Sequence, residues 1–315
     1  MKTLTALFVG LGSIGTRHLN NLAALCAQRG WTLEADALRS DLHRPLRPGV
    51  AEKLHAQYTG TDALPARYDV IFITNPTSLH AEALRTVYGR GGALFIEKPI
   101  FSAEQTGLKL QDYLPAGQKA YVAAPMRWCG TMLALKELLP TLHPYCARVI
   151  CSSYLPDWRP GVDYRTIYSA HKALGGGVTI DLIHEWDYLV DLFGVPEALY
   201  NFKGTYSDLE IDSDDLSVYI ARYPSLLAEV HLDYFGRGYR RSLELFCHDG
   251  SVVADFGAGT LTLPDGTVRH CEEEVNRRYE REMAYFVDYA LGDAPASCNP
   301  PELALQVLQL TLGEK

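Results

Sequence analysis

The first 125 residues alternate short apolar runs with segments of helical periodicity. The apolar runs predict buried strands, and segments with apolar residues three or four apart predict helices. The predicted strands are Leu4–Val9, Leu33–Leu38, Val70–Ile73, Ala93–Ile96 and Ala120–Ala124. The predicted helices are Ile14–Gln28, Val50–Tyr58, Ser78–Tyr88 and Ser102–Tyr113, the last opening on a capping-box pattern. This alternation predicts parallel strands covered by helices on both faces.

The pattern changes after about residue 145 to alternation with a period of two, separated by tight turns. The predicted strands are Cys146–Tyr154, Glu197–Tyr206, Leu216–Tyr223, Leu226–Tyr234, Ser242–Cys247 and Ser251–Phe256. The predicted helices are Thr179–Phe193, Arg278–Leu291 and Pro301–Leu312. We therefore expect an α/β nucleotide-type domain over residues 1–124 and an α+β domain with a largely antiparallel open sheet over 125–315. The C-terminal helix is a candidate to pack back on the first domain.

Composition and charge narrow the function classes. The chain has 315 residues, 47% hydrophobic and 21% charged, which suffices for two cores. A net charge of −9 without a basic tract makes nucleic acid a poor partner, and no apolar run is long enough to predict a membrane span. The 7 cysteines include no C-x-x-C pair. We expect a cytoplasmic protein without a metal site.

A glycine-rich sequence, GLGSIG, lies between the first predicted strand and the first predicted helix. In such a motif Gly10 permits a tight turn, Gly12 lets a pyrophosphate approach the backbone, and Gly15 allows close packing of helix on strand. Ser13 and Ile14 then open a helix whose N–H groups and dipole attract phosphate. The sequence predicts a dinucleotide site here, and the alternative is a glycine turn that binds nothing.

The end of the second strand bears on cofactor choice. Sites that select NAD usually place an acidic residue there, to hold the ribose 2′-hydroxyl. This chain has Arg39 and Ser40 instead, and Asp36 lies earlier, inside the strand. Because an arginine suits a 2′-phosphate, NADP(H) is favoured and NAD(H) remains possible. In the alternative, Arg39 is a solvated loop residue and Asp41 holds the ribose.

Two further strand ends carry candidate cofactor residues. Carboxyl ends of parallel strands face the ligand crevice, so the residues that follow the third strand are candidates to line the dinucleotide. They are Thr74, Asn75, Pro76 and His80. A simple Asn-Pro turn would have the same sequence. The fourth strand ends in Glu97-Lys98-Pro99, a charged pair followed by a residue that stops the ladder.

A second constellation lies far downstream. Gly175–Gly177 precede a predicted helix on which Asp181, His184 and Tyr188 share one face. A histidine with a carboxylate neighbour is a natural proton carrier, because its pKa lies near neutrality. The alternative is a structural histidine on an ordinary helix.

The glycine motif, the E-K-P motif and the G-G-G-x-x-x-D-x-x-H motif occur in an order that resembles the Gfo/Idh/MocA family of NAD(P)-dependent sugar and cyclitol oxidoreductases. The resemblance implies a Rossmann domain, and catalytic roles for Lys98 and His184 with Asp181 as partner. It implies that Glu97 and Lys98 lie near the cofactor and that the Lys98–Pro99 bond is cis. Many members space the aspartate and histidine by four residues rather than three, which puts the role of Asp181 in doubt.

The segment YLPDWRPGVDYR, residues 154–165, looks like a branch of the family associated with bacterial surface sugars, including sialic-acid-like sugars. Aromatic side chains there could stack on a sugar ring, and arginines could hold a carboxylate or phosphate. In the alternative, the segment is a packed loop. The candidate substrate residues are Arg127, Trp128, Trp158, Arg159, Tyr164 and Arg165.

The sequence thus predicts an oxidoreductase that transfers hydride between a nicotinamide cofactor and a hydroxyl or keto carbon of a sugar, sugar acid or sugar nucleotide. Two alternatives from the same resemblance are an NAD-dependent glycosidase that uses transient oxidation and a non-catalytic dinucleotide-sensing protein. The resemblance also implies a homo-oligomer, a dimer or tetramer, that associates through the outer face of the C-terminal sheet. The expected small-molecule partner is a carbohydrate.

Overall fold

The computed structural model of the protein describes residues 2–292 and 296–314. The chain divides into two compact units. One comprises Met1–Ala123 with Tyr279–Leu305, and the other comprises Ala124–Arg278 with Gln306–Lys315. The sequence placed residues 279–305 in the second domain, whereas the structure groups them with the first unit. The roles assigned to the two domains, dinucleotide and substrate binding, stay predictions.

Within the described residues, the first unit contains a parallel six-stranded sheet with the strand order β3-β2-β1-β4-β5-β6. Its elements in chain order are β1 (Thr3–Val9), α1 (Ser13–Gln28), β2 (Thr32–Leu38), β3 (Leu54–Tyr58), β4 (Tyr68–Ile73), α2 (His80–Thr86), β5 (Gly91–Ile96) and β6 (Lys119–Val122). The strand order reverses beside β1, between β2 and β4. Open α/β sheets bind ligands at the carboxyl ends of strands at such a point. The predicted parallel sheet of a Rossmann-like domain is confirmed.

The core of the first unit follows from the apolar runs. The central strands are buried along nearly their whole length, and Phe8 and Phe72 stack across β1 and β4 with ring centroids 4.5 Å apart. Phe95 on β5 and Phe286, in the helix Asn276–Ala290, extend this aromatic cluster. Burial on both faces explains why these strands read as continuous apolar runs rather than alternating ones.

Two predicted helices of this unit are wrong. Residues 50–58 form a short 3-10 turn, Ala51–Lys53, and the edge strand β3, which pairs in parallel with β2. Side chains along β3 alternate between half-buried and exposed, the period of an edge strand. Residues 102–113 form two 3-10 turns, although the predicted capping box of Ser102 and Gln105 is present. Gly107 lies between the turns, and glycine weakens helix propagation.

The second unit is built on an eight-stranded sheet, counted over the described residues. Its elements are α3 (Gly130–Leu142), β7 (Cys146–Tyr154), α4 (Val178–Asp181), α5 (His184–Phe193), β8 (Ala198–Gly204), β9 (Leu216–Arg222), β10 (Leu227–Asp233), β11 (Phe235–Cys247), β12 (Gly250–Asp255), β13 (Thr260–Thr262) and β14 (Val268–His270). The helices α6 (Asn276–Ala290) and α7 (Pro301–Leu312) follow in the chain, and their residues 279–290 and 301–305 belong to the first unit. The sequence analysis missed α3, β13 and β14.

The strand order of this sheet is β14-β13-β12-β11-β7-β10-β9-β8. All neighbours pair antiparallel except β7 and β10, which run parallel. The predicted largely antiparallel sheet is therefore confirmed. On β9 the residues Ser217, Tyr219 and Ala221 are buried, while Ile220 on the opposite face is exposed. One face of the sheet thus packs in the core and the other faces outward. No helix among the described residues is long and apolar enough to cross a membrane.

Candidate functional site

The glycine loop between β1 and α1 has the close packing that its sequence predicts. Gly10 has a φ of +89°, and a Cβ on it would lie 2.9 Å from the backbone of Asn75. A Cβ on Gly15 would lie 2.6 Å from the carbonyl oxygen of Gly10. In contrast, a Cβ on Gly12 would meet nothing within 4 Å, so space is open where a phosphate would approach. Larger residues would therefore disrupt the turn at Gly10 and Gly15, whereas Gly12 borders an accessible surface.

The N-terminus of α1 is suited to an anion. The helix begins at Ser13, its cap position Gly12 offers no side chain, and its first turn carries no acidic residue. The amide groups of this first turn, which includes Ser13 and Ile14, therefore keep their donors and the positive end of the helix dipole for a ligand. This geometry fits the pyrophosphate of a dinucleotide.

The residues after β4 support the same loop. The hydroxyl of Thr74 donates to the carbonyl oxygen of Gly10 at 2.6 Å. The side-chain oxygen of Asn75 is buried and has no hydrogen-bond partner, while its amide donates to the carbonyl of Leu79. An orphaned buried oxygen next to an open loop indicates a missing donor. Pro76 follows at the start of a 3-10 turn and is exposed.

His80 has a different environment from the one the sequence suggested. Its side chain is fully buried, with Nε2 at 3.1 Å from the carbonyl oxygen of Asn75 and Nδ1 at 3.1 Å from that of Pro99. Burial lowers the pKa of His80, although the surrounding carbonyls act against this effect. His80 therefore ties the turn after β4 to the segment after β5, and it has no exposed surface to offer a cofactor.

The end of β2 leads into a basic cavity. Asp36, inside the strand, is 3% exposed and accepts hydrogen bonds from Tyr68 and His55, so it is engaged within the sheet. The guanidinium of Arg39 donates to the side chain of Gln57 at 2.7 Å and to the carbonyl of Arg44. Both arginines line a cavity of about 430 Å³ together with Leu42, Pro45, Leu46, Arg47, Pro48, Gly49, Ala51, Glu52 and Gln57. Three arginines and one glutamate around this cavity favour an anionic occupant. Ser40 is exposed next to Arg39.

Glu97 of the E-K-P motif points into the core of the first unit. One carboxylate oxygen lies 2.6 Å from Nε2 of the fully buried His18, and the other accepts the backbone N–H of Lys98 at 3.1 Å. Burial would raise the pKa of Glu97, but the hydrogen bond from His18 and the charges of His18 and Lys98 hold it below its ordinary value. Glu97 is thus an ionised structural carboxylate. Sequence reasoning missed His18, which lies three positions after Gly15 on α1.

Lys98 follows β5 directly, at the carboxyl edge of the parallel sheet. Its side chain is half-buried, and its bond to Pro99 is cis, as the resemblance implied. The structure therefore places the lysine at the sheet edge where doubly wound folds bind ligands. Its catalytic role stays a prediction.

The second unit contains a cavity of about 420 Å³ that includes the predicted histidine. His184, at the start of α5, is half-buried in its wall. The other lining residues are Cys151, Ser153, Tyr154, Asp157, Trp158, Asp181, Leu182, Arg237, Tyr239 and Arg241. The cavity thus combines a histidine, flat aromatic surfaces and charged groups, which is a combination that suits a polar ring-shaped ligand.

Asp181 and His184 belong to two helices, not to the one continuous helix that the sequence predicted. The helix α4 ends at Asp181, and α5 begins at His184 after a break at Leu182 and Ile183. Face arguments based on spacing within one helix therefore do not apply to this pair.

Two tyrosines that the sequence analysis missed hold the Asp181 carboxylate. The Tyr168 hydroxyl donates to one oxygen at 2.6 Å, and the Tyr234 hydroxyl donates to the other at 2.6 Å. Burial, with the charge of Asp181, raises the pKa of both phenols, so both stay protonated as donors. Trp158 packs edge-on against Tyr234 and donates from its indole N–H to Ser153. No sequence spacing signals this contact, because the tyrosines lie 13 and 53 positions from Asp181.

A buried ion pair between Arg241 and Glu185 lies at this cavity, and Arg241 is part of the cavity's lining. Arg241 donates to both carboxylate oxygens of Glu185, at 2.7 and 3.2 Å, and Glu185 is fully buried. Burial and the neighbouring Glu185 raise the pKa of the Cys151 thiol, so this cysteine is not a thiolate nucleophile.

The structure separates the candidate substrate residues. Of these, Trp158 lines the cavity. Arg159 is exposed, and its charge lowers the pKa of the Tyr168 phenol, although burial and Asp181 raise that pKa by more. Arg127 is only 1% exposed, and its guanidinium is held by Asp187 and Asp191, so it supports the interior rather than a ligand.

The remaining candidates lie outside this cavity's lining. Arg165 is held by Asp163 and Glu210, and the Tyr164 hydroxyl accepts the N–H of Glu210. Trp128 is half-buried next to Arg127. Sequence reasoning missed Tyr154, Arg237 and Tyr239, which do line the cavity. Among the residues that the structure describes, no cluster of histidine, cysteine and carboxylate side chains could hold a metal ion.

Comparison with known proteins agrees with the fold of both units. Residues 4–122 match the family model described as the oxidoreductase family with an NAD-binding Rossmann fold, Gfo/Idh/MocA. No curated protein sequence matches the chain at a significant level.

Solved structures resemble the whole chain at low sequence identity. UDP-N-acetylglucosamine 3-dehydrogenase from Acidithiobacillus ferrooxidans has a TM-score of 0.74 and 18% identity, with 99% of this chain and 97% of that chain covered. Myo-inositol 2-dehydrogenase from Lactobacillus plantarum has a TM-score of 0.76 and 18% identity, with 99% and 96% covered. The WlbA dehydrogenase from Bordetella pertussis, solved with NADH and UDP-GlcNAcA, has a TM-score of 0.74 and 18% identity, with 99% and 95% covered.

These likenesses cover both units and show a shared two-domain fold. The glycine loop, the strand order and the E-K-P turn account for the family match in physical terms. Residues 4–122 are therefore similar to the NAD-binding Rossmann domain of the Gfo/Idh/MocA oxidoreductase family.

Proposed function

We propose that the protein is an NAD(P)-dependent oxidoreductase that transfers a hydride between the nicotinamide and a hydroxyl-bearing carbon of a carbohydrate. The observation that carries this proposal is the cavity of the second unit, which unites His184 and Asp181 with the aromatic surface of Trp158. Aromatic faces bind sugar rings, and a histidine can take or give a hydroxyl proton near neutral pH. The named structural relatives that act on sugar nucleotides and inositol support the same substrate class.

The first unit would hold the dinucleotide. The pyrophosphate of the dinucleotide fits the open surface at Gly12 and the first turn of α1. The buried side-chain oxygen of Asn75 nearby has no hydrogen-bond partner and can accept one from the cofactor. When bound, the nicotinamide supplies the two-electron acceptor or donor for the hydride. The protein's own part is to position the substrate and manage its hydroxyl proton.

We infer that Lys98 and His184 manage that proton, with Asp181 as a positioning residue. As an alcohol is oxidised, its C–H bond breaks with both electrons, and the O–H proton passes to a protein base. A lysine cation also favours the alkoxide that develops before the proton has fully left. The carboxylate of Asp181 is held by hydrogen bonds from Tyr168 and Tyr234, so it can act as a fixed group that orients His184.

We further propose a preference for NADP(H). Arg39 extends from the end of β2 into a cavity that Arg44 and Arg47 also line, and Asp36 is engaged by Tyr68 within the sheet. A 2′-phosphate would meet a cluster of guanidinium groups there, whereas a ribose 2′-hydroxyl would find no carboxylate at the strand end itself.

The outer face of the C-terminal sheet supports a homo-oligomer. Phe202 and Tyr200 on β8 are 76% and 69% exposed, and Tyr200 is paired in register with the exposed Ile220. Neighbouring apolar side chains that protrude from a sheet favour burial against a second copy. We propose that this face is the interface.

The central test is turnover by a Lys98→Met variant, with Lys109→Met as a matched control on the exposed surface. We expect Lys98→Met to lose nearly all oxidation of the substrate while its affinity for NADPH, measured by fluorescence, stays within about twofold. Full turnover in Lys98→Met would refute the proposed mechanism. Stoichiometric NADPH formation in solution would also separate a dehydrogenase from an enzyme that oxidises its substrate only transiently.

A further inference from the structure

Arg237 lies in the same cavity wall as His184, and its guanidinium stacks on an aromatic ring. Its Cζ atom is 3.8 Å from the ring centroid of Tyr154. Stacking orients the planar guanidinium through its face, which leaves the N–H groups at its edge available to a ligand. The side chain is thus oriented before a ligand arrives, and this orientation lowers the entropic cost of binding.

The charge of Arg237 differs from that of its neighbour Arg241. Arg241 is neutralised by the buried Glu185 in a two-point ion pair. No carboxylate among the described residues lies within ion-pair distance of Arg237, although Asp157 lines the same cavity. The cavity therefore contains one arginine whose charge is used by the protein and one whose charge is available.

The backbone that carries Arg237 is held in place by buried groups. The strand β11 pairs with β7 at Phe235, and the pairing shifts before it resumes at Arg240. Within this irregular stretch, Asp233, which is 2% exposed, accepts the N–H groups of Phe235 and Gly236 at 3.1 and 2.7 Å. Irregularities of this kind re-aim side chains next to functional sites.

Gly236 fixes the same stretch from the other side. A Cβ on Gly236 would lie 1.8 Å from the hydroxyl oxygen of Ser152, so any larger residue would force that side chain to move. The ladder irregularity, the buried Asp233 and this close approach together place Arg237 over Tyr154. The position of the arginine is therefore a built feature of the fold rather than the chance direction of a surface side chain.

We propose that Arg237 is a specificity determinant that binds an oxyanion of the carbohydrate substrate, a carboxylate or a phosphate. This inference rests on the proposed oxidoreductase function and names its substrate class as acidic. A planar guanidinium with its edge available binds both oxyanions through two parallel hydrogen bonds. A sugar acid and a sugar nucleotide both supply this chemistry, whereas a neutral sugar leaves the guanidinium without a partner.

The experiment compares Arg237→Gln with wild type, with Arg240→Gln as the matched control. Arg240 is exposed on the same strand and does not line the cavity. The probes are two matched pairs: D-glucuronate against neutral D-glucuronamide for a carboxylate, and UDP-N-acetylglucosamine against N-acetylglucosamine for a phosphate. Calorimetry measures binding, and NADPH formation measures turnover.

We expect one acidic probe to bind wild type more tightly than its neutral partner. Arg237→Gln should weaken that binding, and kcat/KM where the probe is turned over, by roughly 10- to 100-fold, while Arg240→Gln changes neither. The pair in which the difference appears tells a carboxylate from a phosphate.

Three results would overturn the assignment of Arg237. They are equal binding of both members in each pair, an acidic preference that survives Arg237→Gln, and no binding of either acidic probe. Binding that depends on Arg237 without turnover of any probe would support this inference and count against the proposed hydride transfer. Turnover of neutral probes alone would count against this inference and leave the proposed function intact.

Discussion

The carboxylate of Glu97 accepts a hydrogen bond from the buried imidazole of His18, with 2.6 Å between Oε1 and Nε2. The second oxygen of Glu97 accepts the N–H of Lys98, so one carboxylate joins the first helix to the turn that carries the lysine. The middle of the E-K-P motif therefore depends on a residue of α1, the helix that also begins at the glycine loop.

The first prediction concerns stability in acid. The pKa of folded Glu97 lies below its ordinary value of 4.5, so the folded state favours the ionised form. The stability it contributes is therefore fully present above about pH 4.5 and is lost as pH falls through the lower folded pKa. We expect Glu97→Gln, which keeps an acceptor oxygen, to reduce the loss of unfolding free energy as pH falls below about 4.5 (the acid limb). Urea titrations at several pH values measure this dependence.

Glu104→Gln is the control for that prediction, because Glu104 is an exposed carboxylate of the same unit. The control should leave the acid limb unchanged. Identical acid limbs in wild type and Glu97→Gln would show that Glu97 does not stabilise the fold through its charge.

The second prediction concerns cofactor choice. Arg39→Gln should raise the Kd for NADPH by roughly 10- to 100-fold and change the Kd for NADH by less than about threefold, because only NADPH carries the 2′-phosphate. Arg67→Gln, an exposed residue outside the basic cavity, is the matched control. Fluorescence titration with both dinucleotides measures the effect. A wild-type preference for NADH would show that the interpretation of Arg39 is wrong.

Local motifs explain why the parallel sheet and the glycine loop of the first unit could be predicted. The strand runs are apolar because they are buried on both faces, and the glycine motif is readable because Gly10 and Gly15 have no room for a side chain. The same local patterns misled at β3, where a strand of mixed polarity resembled a helix. They also misled at residues 102–113, where a true capping box precedes a 3-10 turn that ends at Gln105.

The cavity of the second unit could be predicted only in part, because long-range contacts build it. Trp158 was a candidate from its chemistry, and His184 and Asp181 were candidates chiefly from the family resemblance; all three lie in its wall. Arg127 had equally suitable chemistry, but Asp187, 60 positions away, holds it in the interior. Arg237 sits on an irregularity in strand pairing, and one sequence does not reveal such a shift. The sequence shows which side chains could bind or react, but it does not show which distant residue each of them contacts in the fold.

The third prediction concerns the Asp181 network. Tyr234→Phe removes one of the two phenols that donate to the carboxylate and leaves a buried oxygen without that donor. We expect a loss of about 1–3 kcal/mol in the free energy of unfolding. Tyr168 is partly exposed, so water can replace its hydroxyl and Tyr168→Phe should cost less. Chemical denaturation measures both, and an equal or reversed order would contradict the buried role of Tyr234.

The fourth prediction concerns assembly. Phe202 is 76% exposed on the outer face of the C-terminal sheet, and on β9 Val218 lies opposite it in register. If a second copy covers this face, Phe202→Glu should place a charge in an apolar interface and shift the protein toward monomer. Leu174→Glu is the matched control, because Leu174 is 62% exposed at the end of the 3-10 turn Lys172–Leu174 and is not part of a strand. Light scattering after size exclusion gives the mass of each species. A wild-type monomer, or an oligomer that Phe202→Glu leaves intact, would remove this face from consideration as the interface.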